Sequence, residues 1–128
     1  MHLSLSTLVA FALSTSSVAF ASSDVPPQAK ALIKQVNRLS AKGDLVGLRS
    51  LMVSEFTWSF GGDANADQAI SNWRENPKQL QALAKATSKQ CELKGKYVEC
   101  PRNAGMSLRA GFAETKTGWR MTYFVEGD

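Results

Sequence analysis

Apolar residues recur at helical spacing through the first half of this chain and alternate at strand spacing through much of the second. From Gln28 to about Ala41, Leu32, Ile33, Val36 and Leu39 share one helical face. Lys30, Lys34, Arg38 and Lys42 step by four along the opposite face, which reads as the solvated back of an amphipathic helix. Pro26 and Pro27 suit its first turn, where their missing amides would be unpaired in any case. Gly43 ends the helix, and Asp44 then caps a short second one with Leu45, Leu48, Leu51 and Met52 as its apolar positions.

The pattern changes at Glu55. Phe56, Trp58 and Phe60 alternate with Glu55, Thr57 and Ser59, predicting a strand with three aromatics on one face. Gly61-Gly62 closes it. Asn65 caps a helix that starts at Ala66, with Gln68 placed as in a capping box and Ala66, Ala69, Ile70 and Trp73 on one face. Asn76-Pro77 opens a further helix to about Ala86, burying Leu80, Leu83 and Ala84.

The last third predicts two hairpins. Cys91 to Cys100 is symmetric about Gly95-Lys96, and glycine first in a two-residue loop suits a type II′ turn. That register pairs Lys94 with Tyr97, Leu93 with Val98, Glu92 with Glu99 and Cys91 with Cys100. It puts the cysteines at a non-hydrogen-bonded position, where side chains approach most closely, and sets two glutamates opposite each other. A disulfide follows, in preference to a redox-active dithiol, because C-x8-C lacks the spacing of such motifs. The second hairpin runs from Ser107 to Glu114, turns over Thr115–Gly118, and returns from Trp119 to Val125. Strict alternation places Leu108, Ala110, Phe112, Trp119, Met121, Tyr123 and Val125 on one face. Arg109, Arg120, Thr122 and Phe124 fall on the other, mixed and wet face.

Composition refines this picture. Met1–Ala21 has no charged side chain, carries an apolar stretch from Leu3 to about Val18 and ends in the small-x-small triplet Ala19-Phe20-Ala21. It reads as a secretory signal peptide, although the usual basic residues at its start are missing. Ser22–Asp128 is then one α+β domain, and the protein is expected to be periplasmic or secreted, without stable membrane insertion after cleavage. The 15 Lys and Arg against 11 Asp and Glu all lie in that part and leave a net charge of +4. No basic run is dense enough to predict nucleic-acid binding. The single histidine is His2, so cleavage leaves a chain without Ser-His-Asp triads, Cys-His pairs or histidine metal sites.

Three constellations of residues bear on chemistry. Asp63, Asn65 and Asp67 match the opening of a calcium loop, but Gln68 and Arg74 stand where glycine and glutamate are needed, so no metal is expected. Asp63 or Asp67 with Tyr97 or Tyr123 could move a proton, though nothing in the spacing joins them. Trp58, Phe60, Trp73, Trp119 and Tyr123 could line a ligand pocket, with Asp67 looking into it, or simply fill a small core. No phosphate loop, G-x-S-x-G or zinc spacing is present, and no cofactor is called for. Arg109, Arg120 and Phe124 mark the candidate interaction face.

The order helix, helix, strand, helices, then two hairpins resembles the NTF2-like (cystatin-like α+β cone) superfamily over most of Pro26 to Val125. The carriers are Asp44-Leu-Val-Gly-Leu before Phe56-Thr-Trp-Ser-Phe, and the closing Thr117-Gly-Trp-Arg-Met-Thr-Tyr-Phe-Val. The resemblance implies N-terminal helices packed on a curved antiparallel sheet, with a pocket at its wide end. It also implies use as a small-molecule binder, isomerase or protein-interaction module, often a homodimer through the sheet. The strand that usually pairs with the first one is short or missing here. Two functions are therefore expected from different classes. One is an exported, non-catalytic module binding a protein or a small apolar ligand, such as an inhibitor or immunity protein of an envelope-acting enzyme. The other is a small isomerase or dehydratase using an Asp/Tyr pair.

Overall fold

The computed structural model describes residues 25–61 and 65–127. The expected signal peptide Met1–Ala21 and Asp63 lie outside them. Four helices come first in the element order, interrupted by one strand: α1 (Pro27–Lys42), α2 (Leu45–Ser50), β1 (Met52–Thr57), α3 (Ala66–Glu75) and α4 (Pro77–Thr87). Two hairpins follow, β2 (Glu92–Lys94) with β3 (Tyr97–Cys100), and β4 (Arg109–Thr115) with β5 (Gly118–Val125). The sheet runs β1-β5-β4-β3-β2. Its four hairpin strands are antiparallel, as expected, while β1 joins β5 in parallel and makes the sheet mixed.

Local chemistry explains the helix ends. Asp44 accepts from the Gly47 amide, and Asn65 accepts from the amides of Asp67 and Gln68, so each cap satisfies donors that its helix cannot. Leu32, Ile33 and Val36 of α1 are buried as the spacing requires. Asn37 ties α1 to α4 by donating to the Ala84 carbonyl at 2.7 Å. The helices cover one face of the sheet, where Val98, Cys100, Ala110, Phe112, Met121 and Phe124 complete the core.

The aromatic strand begins earlier than its alternation indicated. Met52 does not close α2; it opens β1, because the Leu51 carbonyl accepts from the Met121 amide at 2.8 Å. Met52 and Phe56 then point inward, and the strand stops at Thr57. Trp58 and Phe60 therefore lie beyond it, and Phe60 is 53% exposed.

The first hairpin has the expected register, Glu92↔Glu99, Leu93↔Val98 and Lys94↔Tyr97. Gly95 has φ +60° while Lys96 is not among the positive-φ residues, the signature of a type II′ turn. Cys91 and Cys100 form a disulfide across Cα atoms 4.4 Å apart, close to the spacing of about 4.5 Å for a non-hydrogen-bonded pair. The opposed glutamates diverge. Glu92 accepts from the Asn103 amide at 3.3 Å, and Glu99 turns to the far face of the sheet.

The second hairpin departs from strict alternation. Phe112 pairs with Met121 but Gly111 pairs with Tyr123, so Thr122 is an extra residue in β5. This β-bulge reverses the parity of the residues after it. Phe124, expected on the wet face, is 3% exposed in the core, and Tyr123, expected beside Met121, emerges on the outer face.

Candidate functional site

Two clefts sit on opposite sides of the C-terminal end of β5, sharing Phe60 and Val125 as walls. The larger, about 500 Å³, opens between the helical layer and the loop after β1. Trp73 from α3 forms its floor. That ring packs edge-on against Phe56 at 5.7 Å and Phe124 at 6.2 Å, a core contact that fixes its orientation. Trp58 and Phe60 supply the wall, with Leu108, and Asn72 and Gln79 add amide groups. The Trp58 indole N–H is buried and has no acceptor among the described residues. A buried donor in that state is uncommon and favours a ligand oxygen.

The smaller cleft, about 310 Å³, lies on the outer face. Glu99, Gly111 and Tyr123 stand in one row across β3, β4 and β5. A Cβ on Gly111 would fall 2.0 Å from the Tyr123 ring, so only glycine lets the ring cross β4. Tyr123 thereby donates from its hydroxyl to Glu99 Oε2 at 2.5 Å. Burial, followed by the hydrogen bond and the negative charge of Glu99, holds the Tyr123 hydroxyl well above its ordinary pKa, and the hydroxyl keeps its proton. Arg109 Nε is 3.9 Å from Glu99 Oε2 and Lys94 Nζ is 3.6 Å from Oε1, both ion pairs longer than hydrogen bonds.

The candidates from the sequence are thus divided. Trp58, Phe60 and Trp73 meet in the larger cleft. Asp67 does not join them: it sits 79% exposed in the first turn of α3, hydrogen-bonded to Arg49 Nε at 2.8 Å. It partners neither Tyr97 nor Tyr123, so the arrangement does not favour the Asp/Tyr enzyme. Tyr97 packs on Tyr123 at 5.7 Å instead. Arg109 faces the outer cleft, its guanidinium over the Phe60 ring at 6.0 Å, while Arg120 bonds the neighbouring Trp119 carbonyl. The interaction patch of Arg109, Arg120 and Phe124 does not form, because Phe124 is buried. Glu99 is the residue that sequence reasoning missed; its signal was a lone acid between Val98 and Cys100, both fully buried.

With this geometry in place, the layout is similar to that of NTF2-like proteins of known structure. One, an NTF2-like protein with a cystatin-like fold from Novosphingobium aromaticivorans, is 18% identical, with 77% of each chain covered and a TM-score of 0.43. Another, an NTF2-like protein of unknown function from Shewanella oneidensis, is 12% identical over 79% of this chain and 97% of its own, with a TM-score of 0.47. These likenesses concern layout alone. No family model matches the sequence, and no curated protein does.

Proposed function

We propose that this chain is an exported, non-catalytic binding module that seats a small, largely apolar ligand in the aromatic cleft. One observation carries the reading: Trp58, Phe60 and Trp73 converge on one cleft, and the buried Trp58 N–H has no acceptor among the described residues. Aromatic walls with a few fixed polar groups are what small-molecule sites are made of. The ligand is accordingly a ring-bearing molecule with a carbonyl or ether oxygen for that N–H. Export is supported by the leader-like start of the sequence and by the Cys91–Cys100 disulfide, a bond that persists in oxidising compartments. No helix of the described residues is long and apolar enough to cross a membrane.

The test is a titration of ¹⁵N-tryptophan-labelled protein with cyclic ketones and aryl ethers, following the indole signals. The Trp58 signal is expected to move saturably, and Trp58→Phe to weaken binding by roughly ten-fold, the worth of one hydrogen bond. If no such compound moves the Trp58 or Trp73 indole signals, the reading is wrong.

A further inference from the structure

The aromatic cleft leaves the outer-face cleft unexplained. There the Glu99 side chain is only 5% exposed, yet its Oε1 has no hydrogen-bond donor among the described residues, while Oε2 takes the Tyr123 hydroxyl. A buried carboxylate oxygen without a donor is unfavourable unless something else supplies one. Lys94 does not: at 3.6 Å it is outside hydrogen-bond range, and its side chain is 58% exposed.

The charges narrow the ligand. Arg109 is 14% exposed, and its terminal nitrogens donate to the carbonyls of Ser107 and Gly127. It is therefore a fixed cation that balances Glu99, and Lys94 is the surplus positive charge. A ligand bearing an ammonium group would meet two cations. A molecule that completes the cleft brings a neutral donor to Glu99 Oε1 and a negative charge to Lys94. Thr57 adds a hydroxyl to the lining, and the volume suits a metabolite-sized guest.

We propose that this cleft is a second binding site, for a small hydroxylated carboxylate of the sugar-acid type. It opens on the other side of the sheet from the aromatic cleft and shares only the Phe60 and Val125 walls with it. Its hydroxyl donates to Glu99 Oε1 and its carboxylate pairs with Lys94.

The test uses the purified, ¹⁵N-labelled protein and three probes of equal chain length. Gluconate carries both groups, hexanoate lacks the hydroxyls, and sorbitol lacks the charge. Gluconate is expected to shift the amides of Glu99, Gly111 and Tyr123 saturably, and the other two to bind at least about ten-fold more weakly, as loss of a hydrogen bond to a charged acceptor requires. Lys94→Ala should bring gluconate down towards sorbitol, and Glu99→Gln, which keeps an acceptor oxygen but loses its charge, should narrow the preference for gluconate over hexanoate. Glu99→Gln also strips Arg109 of its partner, so the exposed Lys94→Ala decides the matter if that variant fails to fold. The proposal is overturned by no saturable shift with gluconate, by equal binding of gluconate and hexanoate, or by an unchanged gluconate affinity in Lys94→Ala. Shifts confined to Trp58 and Trp73 would overturn it too, while leaving the aromatic cleft intact.

Discussion

One absent side chain, at Gly111, lets Tyr123 and Glu99 meet. The Tyr123 ring occupies the space over β4 that any Cβ at position 111 would enter. Gly111→Ala should therefore lower stability by about 1–3 kcal/mol through overpacking, measured by urea unfolding. Tyr123→Phe keeps the ring and removes the hydrogen bond. It should cost about 1.5 kcal/mol at neutral pH, the low end for a bond to a charged group because Tyr123 is only partly buried. Since folding raises the Tyr123 pKa above its ordinary 10.0, this contribution is fully present below pH 10 and fades as pH climbs beyond it. The stability gap between the parent and Tyr123→Phe should accordingly narrow above pH 10; a constant gap would show that the hydroxyl is not the group concerned. Glu99 was hard to read from the sequence because hairpin pairing shows only its neighbour Glu92. Its working partners, Gly111 and Tyr123, lie one and two strands further across.

Among the elements, the β2–β3 hairpin was the most legible, because turn, register and disulfide are all set within ten adjacent residues. By the chain-entropy model, closing this loop of roughly ten residues contributes about 2.7 kcal/mol. Mild reduction should lower the unfolding free energy by about 2–3 kcal/mol in denaturant titrations. If reduction changes nothing, the hairpin is held by β4 alone. The helices were legible for the same reason of locality: caps at Asp44 and Asn65 and prolines at helix starts act within a turn. β1 was misplaced because Met52 fits the apolar spacing of α2 as well as that of a strand. Only its pairing with β5 decides between them. β5 was read on the wrong faces past Met121, because alternation cannot show that Thr122 is an extra residue.

At the scale of the whole molecule, the layering of helices on one sheet face followed from the period of the apolar pattern. The candidate site did not. It needed to be known that Phe60 leaves the strand, that Phe124 turns inward and that a glycine underlies Tyr123, and each of these depends on contacts between distant segments. The sequence supplied the aromatic residues of the larger cleft by type, and none of the row that builds the smaller one except Tyr123. The parallel edge strand also bears on how the chain reaches this state. Helices and hairpins join near neighbours in sequence and can form as soon as they exist. Met52–Thr57 has its ladder partner in Gly118–Val125, the last strand of the described residues. That pairing closes a long loop, a slow step in folding. The N-terminal helices therefore lie beside an unpaired strand until Gly118–Val125 is in place, and a chain cut short before Gly118 would leave that strand without its partner.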